Sequence, residues 1–106
     1  MKKIYDKLVR DRIPEIISSS GKVPIWDRIP GEEMLSRLEM KLQEETQEYL
    51  QSRSAEEIAD ILEVLHALCA YQGIEWEDVE LIRQEKGKER GGFEKGIRLV
   101  AVQGDD

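Results

Sequence analysis

Two acidic clusters hold the residues best suited to chemistry in this chain, Glu44-Glu45-Thr46-Gln47-Glu48 and Glu57-Ile58-Ala59-Asp60. Leu35, Leu38 and Leu42 recur at steps of three and four, which predicts a helix whose apolar stripe runs on to Glu45 and Tyr49. A carboxylate therefore stands where the pattern asks for a buried apolar side chain, and Glu48 follows near the same face. In the second segment Ile58, Ile61, Leu62, Leu65, Leu68 and Cys69 cover most of a helix circumference. That helix is expected to be largely buried, yet Glu57 and Asp60 stand three apart near its start. A short turn over 51–54 makes the two helices antiparallel neighbours, bringing Glu45 and Glu48 beside Glu57 and Asp60.

Four carboxylates at the edge of an apolar seam repel one another. Burying them ionised is costly unless a cation or a proton compensates. Oxygen-only ligands suit a hard divalent ion, Mg²⁺ or Mn²⁺, rather than zinc. Two plainer readings stand beside this one. Charged helix residues usually form a solvated face, and Glu44 with Lys41, or Glu56, fits that description. Ser54-Ala55-Glu56-Glu57 is also a capping box, with Ser54 as N-cap and Glu57 at the third helical position. Glu57 can serve both purposes.

The rest of the chain must position these groups. At 106 residues it is expected to form one domain, 1–106, burying about 65% of its unfolded surface. The opening Met-Lys-Lys-Ile-Tyr-Asp predicts no signal peptide, and no apolar run is long enough for a membrane span. A single cysteine, Cys69, excludes an internal disulfide; a buried, inert thiol and a cytoplasmic home are expected. His66 is the one histidine, and no Ser/His/Asp or Cys/His set stands out, which disfavours nucleophilic catalysis.

The net charge of −7 argues against a nucleic-acid partner, but it averages over a segregation. Residues 1–30 carry seven Lys/Arg and four Asp/Glu, residues 31–80 three and fourteen, residues 81–106 six and five. An acidic middle that holds cations leaves basic ends for an anion bridging to them, and a polyphosphate fits. Charge balance between neighbouring helices explains the same pattern.

Pro14 suits the first turn of a short helix over 14–19, with the residue before it non-helical, and Ser18-Ser19-Ser20-Gly21 ends it. Val23 to Asp27 looks extended, and Pro24 confines it to a sheet edge. Pro30-Gly31 launches the first long helix, and Gly73 caps the second. A third helix over 76–89 carries a stripe that begins with Trp76 and Val79 and continues as Arg83, Lys86 and Arg90. Those cations either snorkel over apolar neighbours or meet phosphoryl oxygens held at the carboxylates. Ile97 to Val102 alternates enough to read as a strand, which could pair with 23–27 in a small two-stranded β element.

Glu44-Glu45-x-x-Glu48 followed by Glu57-x-x-Asp60 resembles the EExxE…ExxD signature of the all-α nucleoside triphosphate pyrophosphohydrolases, the MazG-like and phosphoribosyl-ATP pyrophosphohydrolase-like superfamily. The segment from Tyr5 to Ile17, and Lys86 to Arg90 with Gly91-Gly92-Phe93, resemble the small single-domain branch, so the similarity covers nearly the whole chain. The resemblance implies an all-α, four-helix-bundle-type core completed by dimerisation, in a homodimer or homotetramer. It further implies Mg²⁺-dependent (or Mn²⁺-dependent) cleavage of a nucleoside triphosphate between the α and β phosphates, a chemistry suited to nucleotide-pool house-cleaning. By the family pattern Glu45, Glu48, Glu57 and Asp60 are the metal ligands. Glu44 lies beside them or helps to activate water, which makes Glu44 and Glu45 the catalytic candidates. Lys7, Arg10, Lys86 and Arg90 are the candidates for phosphate contacts.

In-line attack on a phosphoryl group needs positioning and charge stabilisation more than a covalent nucleophile. A second helix apolar nearly all round also calls for a partner subunit. Two other functions stay open on the sequence: a non-catalytic helical dimer acting as a binding or regulatory module, and hydrolysis of phosphoribosyl-ATP.

Overall fold

The computed structural model describes residues 2–104 and is all-α: α1 (Ile13–Ser19), α2 (Gly31–Ser52), α3 (Ala55–Gln72) and α4 (Trp76–Arg90). The chain groups into two compact units, Met1–Ile74 and Glu75–Asp106. No helix among the described residues is long and apolar enough to cross a membrane.

In the first unit α2 and α3 pack on each other. Only Arg53 and Ser54 separate them, so the pair forms an antiparallel helical hairpin. Each end of that turn has a local cause. Arg53 adopts a left-handed conformation (φ 53°) and donates its backbone N–H to the Tyr49 carbonyl at 2.6 Å, closing α2. Ser54 is extended, and its Oγ accepts the backbone N–H of Glu57 at 3.3 Å, opening α3. At the far end Gly73 takes φ 71°, the left-handed cap that glycine adopts without a Cβ penalty.

The seam between the helices explains which residues face inward. On α2 the buried positions are Leu38 and Glu45, seven apart and therefore on one face, with Lys41 and Leu42 half-buried between them. On α3 the buried position is Val64, with Glu57, Asp60, Ile61 and Leu68 half-buried at helical spacing around it. Each helix thus places apolar side chains in the middle of the seam and carboxylates at the end nearest the turn. Other apolar side chains of α3 lie open in this chain: Ile58 is 53% and Leu62 45% exposed. Cys69 is a free thiol and half-buried, rather than buried as expected.

α1 begins at Ile13, one residue earlier than expected. Pro14 falls in its first turn, where a missing N–H costs nothing, and the Ile13 N–H is satisfied by the Arg10 carbonyl at 3.1 Å.

The second unit is α4 followed by a non-helical tail. Glu77 and Asp78 lie in its first turn and Lys88 and Arg90 in its last, so its charges complement the helix dipole. Gly91 (φ 82°) ends it. The two-stranded element anticipated from 23–27 and 97–102 is not formed, since no strand occurs among the described residues. Pro24 removes a ladder donor from the first segment, and a lone two-strand pairing is at best marginally stable in water.

Removing the α3 cap isolates one local contribution. Ser54→Ala is expected to lower unfolding stability by about 1 kcal/mol, measured by chemical denaturation; an unchanged midpoint would show that Ser54 does not cap.

Candidate functional site: a carboxylate cluster on the helical hairpin

Two overlapping sets of acidic side chains converge at the turn end of the hairpin. Ligand oxygens of Glu44, Glu45 and Glu48 lie within 4.8 Å of one another, and so do those of Glu45, Glu57 and Asp60. Glu45 belongs to both sets. The first set is the work of one helix, spaced i, i+1 and i+4 along α2. The second exists only because the two-residue turn folds α3 back against α2.

The burial of these groups is uneven. Glu45 is 7% exposed, Glu44, Glu57 and Asp60 are half-buried, and Glu48 lies at the surface. Two oxygens, Glu45 Oε2 and Glu57 Oε2, are buried without a hydrogen-bond donor. Such atoms are rare in folded proteins because leaving a polar atom unsatisfied forfeits its hydration.

Cations occupy the flanks of the cluster. Lys41 is half-buried, and its Nζ donates to Glu44 Oε1 at 3.2 Å while lying 3.3 Å from Glu45 Oε1. Lys7 Nζ donates to the same Glu44 oxygen at 3.1 Å. Across the seam Arg10 Nη2 donates to Asp60 Oδ1 at 2.8 Å, with Nη1 4.0 Å from Glu63. The arm carrying Lys7 and Arg10 is tied at its start by Arg37, which donates to the Asp6 carbonyl at 3.1 Å and pairs with its carboxylate at 3.5 Å. Asp6 is left-handed there (φ 43°), a conformation that Asp tolerates better than most residues.

The carboxyls respond to these neighbours in opposite directions. Burial raises the Glu44 carboxyl, but hydrogen bonds from Lys7 and Lys41 with their charges outweigh it, and the net position is below the ordinary value. Burial likewise works against the Lys41 ammonium, and Glu44 and Glu45 more than restore it, leaving it raised. Glu48 is raised by its hydrogen bond to Glu45 and by the Glu45 charge. Glu57 is pushed up to about 7, first by desolvation and then by its hydrogen bond to Glu45 and the charges of Glu48, Glu45 and Asp60. Crowding of carboxyls at the middle of the cluster therefore works against ionisation of Glu57 and Glu48.

The capping-box reading of Glu57 is half realised. Ser54 caps, but the Ser54 backbone N–H goes to Ser52 Oγ at 3.4 Å and not to the Glu57 carboxylate, which faces Glu45 and Glu48. Glu44 is an acceptor for two lysines rather than a solvated charge. Of the four basic candidates, Lys7 and Arg10 are paired with the cluster. Lys86 and Arg90 are exposed on α4, in the second unit.

The sequence reading missed Arg37, Lys41 as a direct partner of Glu45, and Glu63. The spacing Lys41–Glu44–Glu45 already contained the Lys41 contacts as i, i+3 and i, i+4 pairs. Nothing in the sequence pointed to Arg37, whose partner lies 31 positions away. Beside the cluster, Lys7, Leu8, Arg37, Met40, Lys41 and Glu44 line an open pocket of about 80 Å³. Sites for drug-sized ligands are roughly 300–1,000 Å³, so this pocket alone does not enclose a ligand of that size.

No family model matches the chain, and no solved structure matches it. It is 45% identical over 42 residues to an uncharacterized protein of Mycolicibacterium smegmatis (strain ATCC 700084 / mc(2)155). That stretch spans 40% of this chain and 43% of the other protein, less than half of either.

The electrostatics predict an unusual pH dependence. Because the folded carboxyl of Glu57 lies near 7, above its ordinary 4.5, its contribution to stability is full below about 4.5 and is lost as pH rises through about 7. Glu44 has the opposite sign, and its contribution is lost only as pH falls below the ordinary carboxylate range. Without divalent ions, thermal stability should therefore decline between about pH 4.5 and 7, and Glu57→Gln should flatten that decline. Melting curves across this range test it; an equal slope in both proteins would remove the assignment.

Proposed function

We propose that the hairpin is the catalytic centre of a divalent-cation-dependent nucleoside triphosphate pyrophosphohydrolase. One observation carries the reading: donor-less, buried Glu45 Oε2 and Glu57 Oε2 lie within a cluster fed from two helices. A buried carboxylate oxygen without a donor suits a metal ion better than a proton when several others converge on it. The all-oxygen donor set is that of a hard cation, Mg²⁺ or Mn²⁺. Glu45, Glu48, Glu57 and Asp60 would be the ligands in this reading, and Glu45 is common to both acidic sets.

A bound divalent ion would supply a more acidic water and charge stabilisation for the phosphoryl group under attack. The chain's own residues supply the remainder. Lys41 holds Glu44 and Glu45 in place. Glu44, kept ionised by two lysines, is an acceptor next to the ligands and suits orienting an attacking water by hydrogen bonding. Lys7 and Arg10 bring positive charge to the rim, where phosphate oxygens would lie. The pocket beside Glu44, with Lys7, Arg37 and Lys41 in its lining, suits a phosphate group.

The test is pyrophosphate release from a panel of canonical and modified nucleoside triphosphates and phosphoribosyl-ATP, with and without Mg²⁺. Activity is expected with Mg²⁺ alone, and Glu45→Gln and Asp60→Asn are expected to lower it by at least about 100-fold. Unchanged activity in both variants would sink the metal-site assignment. Mg²⁺ binding without turnover of any nucleotide would assign a binding or regulatory module instead.

We also propose that the chain functions as a homodimer or a pair of dimers. The support is the open apolar side of α3 at Ile58 and Leu62, a surface suited to another pair of helices in a four-helix core. Light scattering should give at least twice the chain mass of 12.3 kDa, and Leu62→Glu should shift it toward the monomer. A concentration-independent monomer would remove this proposal.

A further inference from the structure

The arm at residues 6–12 places a guanidinium on one of the carboxylates assigned to the metal. Arg10 Nη2 donates to Asp60 Oδ1 at 2.8 Å, and the ligand oxygens of Asp60, Glu45 and Glu57 lie within 4.8 Å of one another. A dication held by these three groups and the Arg10 guanidinium would be like charges drawing on the same carboxylate. They compete.

The surroundings of Arg10 provide a second resting place. Glu63 lies one helical turn beyond Asp60 on α3, belongs to neither acidic set, and is already 4.0 Å from Arg10 Nη1. The Arg10 backbone is fixed meanwhile, because its carbonyl accepts the Ile13 N–H at the start of α1. Asp6, four residues earlier, is held by Arg37. A change of partner therefore needs only side-chain rotation and not departure of the arm. The Arg10–Asp60 pair is partly exposed, 55% and 38% by side chain, and pairs in such settings are weak enough for a dication to displace.

We propose that Arg10 is a built-in counter-ion of the cation site, resting on Asp60 in the cation-free protein and moving to Glu63 when a divalent ion binds. This rests on the reading of Glu45, Glu57 and Asp60 as cation ligands, which the buried, donor-less Glu45 Oε2 carries. Arg10 sets the threshold for loading, and its guanidinium leaves Asp60 only once the metal has arrived. The positive charge offered to a phosphate is thereby coupled to the state of the metal site.

The experiment is a calorimetric titration of the full chain with Mn²⁺ alone, near pH 7.5, so no substrate or turnover enters. Arg10→Gln is expected to tighten Mn²⁺ binding about three- to tenfold, the span of a weak ion pair and its charge. Arg12→Gln makes the same charge change at a residue paired with Glu15, and is expected to stay within about twofold. Glu63→Gln should weaken binding about threefold in the wild-type background and far less in the Arg10→Gln background, the non-additivity that a shared partner produces.

Arg10→Gln binding no tighter than wild type would overturn the proposal, and so would equal tightening by Arg12→Gln. An identical Glu63→Gln effect in both backgrounds would overturn the move to Glu63. A wild-type protein binding Mn²⁺ no better than Glu45→Gln would instead overturn the cation site itself, a distinct result.

Discussion

Glu45 is a carboxylate buried where the register of α2 provides for an apolar side chain, and much of the first unit answers to that fact. It lies on the same helix face as Leu38, so it cannot turn to solvent without taking the seam with it. Burying such a group ionised and unsatisfied costs several kcal/mol, and an apolar residue there would serve stability better. Lys41 offsets part of the cost through one oxygen, shared with Glu44, while the other stays without a donor. Stability alone gives no reason for such a residue. A ligand does.

The distribution of countercharge around Glu45 divides the cluster in two. Lys7 and Lys41 converge on Glu44, holding its carboxyl below the ordinary range. Arg10 takes Asp60 on the opposite flank. The middle, where Glu45 meets Glu48 and Glu57, has a cation only at one Glu45 oxygen, and Glu48 and Glu57 are raised there. Neighbouring carboxyls with opposite shifts are the arrangement by which one site holds an ionised acceptor beside groups that share a proton or a metal. The division follows from geometry: the lysines reach Glu44 from α2 itself and from the arm, and of the two only Lys41 extends to Glu45.

Much of this was legible in the sequence because it is local. The leucine register of α2, the Ser54 cap, the Gly73 terminus and the interruption of both stripes by acids depend on spacing along one helix. Convergence at the turn end follows from the turn's shortness, since so short a turn leaves two long helices only an antiparallel course. What the sequence did not show depends on through-space partners: Arg37 tying Asp6, Arg10 choosing Asp60, and Val64 rather than its neighbours lying deepest in α3. Strand reading failed for a related reason. Alternation at 23–27 and 97–102 describes a segment able to pair, and pairing is decided by a partner in register that periodicity cannot supply.

α3 carries two demands at once, and they bear on the same few residues. Glu57 and Asp60 face the seam with α2, while Ile58 and Leu62, one and two positions away, are open on another side. A helix cannot rotate one face without rotating the other, so any surface that covers Ile58 and Leu62 also fixes the angle at which Glu57 and Asp60 meet Glu45. Under the proposed association, subunit contact and carboxylate geometry are properties of a single rigid element. Leu38, Val64 and Glu45 are the few buried side chains among the described residues of the first unit, and they give the hairpin little stiffness of its own. Cover on the open face of α3 and a cation among the acids would therefore act in the same direction, each reducing the freedom that the other must overcome.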